Sequence, residues 1–136
     1  MVDQLTAHQR SAFMANIRSR HTRPELVVRR LLHGMGYRYR LHHKKLPGRP
    51  DIVFVKRRKV IFVHGCFWHN HEGCSFAHVP KTRPDYWQAK FEYNRSRDKL
   101  NRAQLESEGW KVLVIWECDI NERALLATRV RAFLDL

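Results

Sequence analysis

The sequence predicts a single α/β domain with the element order αβββαβα. Three features carry that expectation: short runs with strand pattern, longer segments with apolar residues at helical spacing, and turn residues that punctuate them. At 136 residues the chain is long enough to bury a core without disulfides and short enough for one domain.

Thr6 to about Ser19 reads as a helix in which Phe13, Met14 and Ile17 share a spacing but little else is apolar. It is expected to be an arm over 1–20, apart from a domain over 21–136. Thr22 and Glu25 make a capping-box pattern, and Val27, Val28, Leu31, Leu32 and Met35 form one apolar stripe that ends near Gly36. That helix is expected to pack on a sheet. Tyr37 to His42 alternates as a strand, LPGRP turns the chain, and Asp51 to Val55 is a second strand. Lys56 to Lys59 is a basic turn, and Val60 to Val63 a buried third strand. Pro84 to about Glu108 reads as a long basic helix with Trp87, Phe91, Leu100 and Leu105 as its apolar points and Gly109 as its stop. Lys111 to Trp116 is the fourth strand, with Trp110 and Trp116 assigned to the core. Asn121 is expected to cap a last helix that turns Leu125, Leu126, Val130 and Phe133 inward.

The 26 Lys and Arg against 13 Asp and Glu leave a formal charge of +13, which points to a polyanion as partner, with nucleic acid foremost. The basic residues are spread over every element, unlike the single amphipathic helix of a membrane-surface protein. No stretch approaches the apolar length that spans a bilayer, and the first ten residues lack the apolar core of a signal peptide. A cytoplasmic location is expected, where three cysteines would stay reduced and serve metal ligation or burial rather than disulfides.

Chemistry concentrates between Val63 and Cys74, VHGCFWHNHEGC, where three histidines, two cysteines, Phe67 and Trp68 follow an apolar strand. Imidazoles and thiolates bind metals or move protons, and the aromatic pair can stack on bases. Cys66, His71, Cys74 and Cys118 form a Cys3His set suited to tetrahedral zinc and use every cysteine in the chain. The alternative is that Cys66 and Cys118 are small buried hydrophobes with His71 and Cys74 loose in a loop. Asp51 starts the strand that pairs with the one ending near His64, so a hard carboxylate is placed beside the histidine-rich segment. Magnesium held there would offset charge on a phosphodiester, whereas taken alone Asp51 reads first as a turn aspartate. Together these groups point to metal-dependent hydrolysis of DNA.

LPGRPD, VIFVHGCFWH, the spacing to Cys74 and GWKVLVIWEC together resemble the very-short-patch-repair (Vsr) DNA mismatch endonucleases, from about Met14 to Cys118. The resemblance implies a PD-(D/E)xK restriction-endonuclease-like core, αβββαβ, with a structural zinc site. It also implies strand-specific nicking 5′ to the thymine of a T:G mismatch left by deamination of 5-methylcytosine. On that basis Asp51 binds magnesium with the backbone carbonyl of Val63, His69 activates the attacking water and His64 assists at the phosphate. Asp98 matches the position that orients His69, although it is also a charge on a solvated helix face near Arg95. Glu25 matches a carboxylate that holds water at the metal, a role in conflict with its place in the capping box.

Phe67, Trp68 and Trp87 match the family's intercalating aromatics, and Met14 matches an arm residue inserted from the minor groove. Core packing is the competing reading for Trp87 and Met14. The sequence departs from the family pattern at Asn70, in place of a histidine, and at Glu72 and Gly73, which lengthen the ligand loop. Double-stranded DNA with a T:G mismatch is the implied partner, met in the bacterial nucleoid by a monomer, alongside mismatch-repair proteins and a cognate cytosine-5 methyltransferase. Two other functions fit the residues: a restriction-type or structure-specific nuclease without mismatch preference, and an inactive zinc-stabilised DNA-binding module.

Overall fold

The computed structural model describes residues 22–69, 71–74 and 80–135. The arm expected over 1–20, with Met14, lies outside them. Helix α1 (Arg23–Gly34) is followed by β1 (Arg40–Leu41), β2 (Ile52–Phe54) and β3 (Lys59–His64). The long α2 (Pro84–Ser107), β4 (Lys111–Trp116), a 3-10 turn (Glu117–Asn121) and α3 (Arg123–Asp135) complete the order αβββαβα. The four strands lie side by side in sequence order, antiparallel from β1 to β3 and parallel between β3 and β4. A parallel pair needs a crossover, and α2 supplies it.

Ile52, Phe54, Ile61 and Ile115 bury one face of the sheet against Val28 and Leu32 of α1 and Leu126, Val130 and Leu134 of α3. Val53, Val60, Phe62 and Val112 bury the other with Leu105 of α2 and Trp110. Cover on both faces explains why β2 and β3 read as continuous apolar runs rather than alternating ones.

Expectation and structure part at several places, among them Lys59, expected in the basic turn, which instead opens β3. The first strand shrinks to two residues, Arg40 paired with Val53 and Leu41 with Ile52, and beyond them His42 turns the backbone left-handed at φ +47°. Leu100 is 70% exposed. The inward stripe of α2 runs Trp87, Phe91, Asn94, Asp98, Asn101, Leu105, which is apolar at its ends and polar where it borders a cleft, and Leu100 is out of phase with it. Leu125 is exposed, and α3 buries Leu126, Val130 and Leu134 instead. Asn121 closes the 3-10 turn rather than capping α3, whose first backbone bond runs from the Leu126 N–H to the Glu122 carbonyl at 2.9 Å. Lys59, buried at the start of β3, donates to the terminal carbonyls of α3 at Phe133 (2.6 Å) and Leu134 (3.2 Å), where a cation is favoured.

Candidate active site

Sheet register delivers Asp51 to the strand beside it. Pairing of Ile52 with Ile61 leaves Asp51 at the entrance to β2, where its Oδ2 accepts the Val63 N–H at 2.7 Å. Burial pushes its pKa up to about 7, reinforced by Glu25 and opposed by the Val63 bond. Glu25 comes from the first turn of α1. Only half of the expected capping box forms: the Glu25 N–H donates to Thr22 Oγ1 at 3.4 Å. Its carboxylate, on a side chain 2% exposed, pairs instead with Arg29 and lies 2.9 Å from His42 Nε2. His42 follows β1, is tied to Asp51 by its backbone N–H to the Asp51 carbonyl at 3.1 Å, and sets Nε2 3.9 Å from Asp51 Oδ1. Donor atoms of Glu25, His42 and Asp51 lie within 4.8 Å of one another, so two hard carboxylates converge as a divalent cation requires.

A second array shares the cleft. His64, ending β3, stacks face to face on His69 with centroids 3.8 Å apart and rings within 3° of parallel. His69 Nδ1 meets Asp98 Oδ2 at 2.5 Å, which joins the loop after β3 to the middle of α2. Burial holds the His64 pKa down, to about 3, with His69 adding to the effect, so this imidazole is neutral. Its Nδ1 has no hydrogen-bond partner among the described residues. The cleft that holds Asp51, His64, His69 and Asp98 has a volume of about 1050 Å³ and carries Lys44, Arg49, Arg95, Arg97, Lys99 and Arg102 on its walls. Gly48 at φ +75° lets the LPGRP turn approach α2, since a Cβ there would meet Asn101 at 3.0 Å.

Cys66, His71, Cys74 and Cys118 converge beyond this cleft, with all four donor atoms within 4.8 Å. His71 Nδ1 lies 3.7 Å from Cys66 Sγ and 3.5 Å from Cys118 Sγ. Zinc bonds of about 2.0 to 2.3 Å place tetrahedral donors about 3.3 to 3.8 Å apart, so the site is compatible with structural zinc. Burial raises the Cys66 thiol to about 12 and raises Cys118 as well, so metal entry must displace protons. The longer ligand loop is absorbed at Gly73, φ +73°, and Asn70 lies outside the described residues.

Phe67 packs edge-on against Trp68, Trp87 and Phe91, with centroids 5.1 to 5.4 Å apart. The three expected aromatics therefore form one cluster on the N-terminal turns of α2. Phe67 and Trp68 are half-buried, whereas Trp87 is 6% exposed and belongs to the core of the free protein.

The description "DNA mismatch endonuclease Vsr" fits residues 2–75 of the chain as a family match. Type II nicking enzyme V.XorIIP of Xanthomonas oryzae pv. oryzae is 53% identical over 135 residues, covering 99% of this chain and 98% of that one. DNA mismatch endonuclease Vsr of Escherichia coli is 41% identical over 126 residues, 93% of this chain and 80% of that one. The chain belongs to the Vsr DNA mismatch endonuclease family. Its fold resembles the catalytic domain of the homing endonuclease I-Bth0305I, with TM-score 0.59 and 22% identity over 82% of this chain and 93% of that one. As a Vsr-family protein it is a DNA nicking endonuclease, a hydrolase acting on DNA. No helix among the described residues is long and apolar enough to cross a membrane.

Sequence reasoning missed three residues of this Vsr-family site. His42 read as the last residue of an alternating strand, and nothing local signals its turn toward Glu25. Asn94, whose side chain donates to the Trp68 carbonyl at 2.9 Å, was legible only as a polar position on the inward stripe of α2. Trp116 is not simply core: it stacks on His71 at 4.0 Å and meets His64 edge-on at 5.2 Å, between the thiol cluster and the cleft.

Proposed function

We propose that this enzyme hydrolyses the phosphodiester 5′ to the thymine of a T:G mismatch, of the kind left by deamination of 5-methylcytosine, and so opens very short patch repair. The observation that carries it is the Asp98–His69–His64 array sharing one basic cleft with Asp51, immediately after the half-exposed Phe67 and Trp68.

Asp98 accepts the Nδ1 proton of His69, which leaves Nε2 to take a proton from the attacking water. Neutral His64, stacked on His69, fixes that ring and offers a hydrogen bond rather than a charge to the phosphate. Asp51 and the Val63 carbonyl would hold magnesium, with Glu25 beside them to hold water. When bound, magnesium supplies positive charge that offsets the charge developing on the phosphoryl oxygens. The lysines and arginines of the cleft grip the DNA backbone, which positions the duplex without reading sequence.

Mismatch recognition falls to the aromatic cluster. Phe67 and Trp68 would enter the base stack, where each stacked base is worth roughly 1 to 3 kcal/mol and a weakly stacked mismatch opens most easily. Trp87 serves that wedge as its buried backing, because an indole this enclosed cannot reach a base without unpacking. Met14 of the arm would enter from the minor groove. Zinc on Cys66, His71, Cys74 and Cys118 would tie the wedge loop to the end of β4. The enzyme would work as a monomer, with a cytosine-5 methyltransferase creating the need for repair and mismatch-repair proteins acting beside it.

The test is strand-specific nicking, with magnesium, of duplexes carrying one T:G pair in randomised flanks beside matched T:A and C:G controls. A nick immediately 5′ of the mismatched thymine is expected. Equal nicking of paired duplexes would replace the proposal with a nicking enzyme lacking mismatch preference.

A further inference from the structure

His42 stands where a third cation ligand would stand. Three elements bring Glu25, His42 and Asp51 together: the first turn of α1, the residue after β1 and the residue before β2. Their side chains are 2%, 12% and 17% exposed, so the group is set inside the protein and reaches solvent through the cleft. His42 Nε2 lies 2.9 Å from Glu25 Oε2 and 3.9 Å from Asp51 Oδ1. Donors around an octahedral cation with bonds of about 2.1 Å are about 3.0 Å apart when adjacent and about 4.2 Å when opposite, so the His42–Glu25 spacing matches an adjacent pair and the His42–Asp51 spacing falls between the two.

Placement of the imidazole is built into the backbone. Its N–H bonds to the Asp51 carbonyl at 3.1 Å, while φ of +47° departs from the strand it follows. A non-glycine residue held in the left-handed region has its conformation imposed by its surroundings.

We propose that His42 is a direct nitrogen ligand in the cation site of Glu25 and Asp51, so that the site, while still taking magnesium, favours a first-row transition ion such as manganese more than an all-oxygen site would. The inference rests on the assignment of Asp51 to a cation site and adds to it the donor set and the metal class. Magnesium takes oxygen donors and gives up its water reluctantly, whereas imidazole is a good ligand for first-row transition ions. Replacing one oxygen or water by Nε2 therefore helps manganese more than magnesium. The other histidine group is less suited to the role, since His64 and His69 are stacked on each other and His69 Nδ1 is already engaged by Asp98.

The test uses the zinc-loaded full chain without DNA, titrated with manganese and read by electron paramagnetic resonance, with magnesium as competitor. Wild type is expected to bind manganese with a directly coupled nitrogen in pulsed spectra. His42→Asn keeps a residue that tolerates the left-handed backbone but is too short to reach the ion. It should lose the coupling and about tenfold in manganese affinity, while magnesium binding, which also reports that the variant is folded, changes less than about twofold. His42→Gln serves as the second variant should His42→Asn fail to fold. Nitrogen coupling absent from wild type, or an unchanged manganese-to-magnesium preference in the variants, would overturn the role of His42 and leave the nuclease assignment standing. Unchanged binding of both ions by Asp51→Asn would overturn the cation site itself.

Discussion

Two clusters of side chains able to hold a metal ion flank one strand and differ in almost every physical respect. The thiol cluster gathers Cys66, His71, Cys74 and Cys118 from one loop and from the 3-10 turn after β4, with soft donors whose number matches tetrahedral zinc. The carboxylate centre at the other side of β3 has hard donors, opens on the cleft, and faces a histidine pair positioned from α2. In the proposed function, the closed soft site contributes to folding and the open hard site to chemistry. Trp116, stacked on His71 and edge-on to His64, is the packing contact that joins them.

The largest effect that would break this comparison is on stability. Zinc removal by a strong chelator is expected to unfold the domain, because a structural zinc in a small site contributes of order 10 kcal/mol. Circular dichroism before and after chelation checks it, and an unchanged melting temperature would make the cluster a set of buried thiols. Asp51→Asn should do the reverse, abolishing nicking to below about one part in ten thousand, equivalent to about 5 kcal/mol of barrier. Its fold should survive, and at pH 8 the zinc-loaded variant without added magnesium should melt higher than wild type under the same conditions. A buried carboxylate whose pKa is raised to about 7 weakens the fold once it is charged. Each kcal/mol recovered is worth about 4 °C in a domain of this size.

His69→Ala comes next, with an expected rate loss of about a hundredfold to ten-thousandfold, the usual contribution of a general base. Asp98→Asn should lose roughly tenfold to a hundredfold by releasing the ring it orients. Single-turnover nicking at saturating DNA measures both, and equal losses in DNA affinity would reassign the pair to binding.

The smallest effect is a pH dependence that sharpens the contrast. Asp51 has its folded pKa raised from 3.8 to about 7, so the folded state holds the proton more tightly than the unfolded chain across that window. With zinc in place and no cation in the cleft, stability from this group is therefore greatest at low pH and falls as pH rises from about 4 to about 7. Cation binding runs the other way, strengthening with pH up to about 7 as the proton leaves, and calorimetry in buffers of different ionisation heat would register its release. A pH-independent affinity between pH 5 and pH 7 would mean that the carboxylate is not the ligand.

Periodicity and turn residues made the element order readable, because each strand and helix advertises its own repeat along the chain. The Cys3His set was readable for a different reason: no other use of four such side chains is as economical. Leu100 and Leu125 misled, since an isolated leucine on a helix does not say which face the sheet will cover, and only the packing of α2 and α3 shows them exposed. The polar interruption of the α2 stripe at Asn94, Asp98 and Asn101 was present in the sequence, but it marks a cleft only once β3 and the LPGRP turn are seen opposite it.

Chemistry types, their clustering after one strand and the order of elements are thus properties of the amino-acid sequence alone. Which groups meet is not, because meeting depends on register and on contacts between distant segments. Glu25 could serve its own helix or the carboxylate centre, and folding around Arg29 and His42 placed it beside Asp51. Asp98 could face solvent or His69, and the crossover of α2 brought it to 2.5 Å. His42 carried no signal at all, since a left-handed residue at the end of a strand is imposed by tertiary packing and leaves no periodic trace in the sequence.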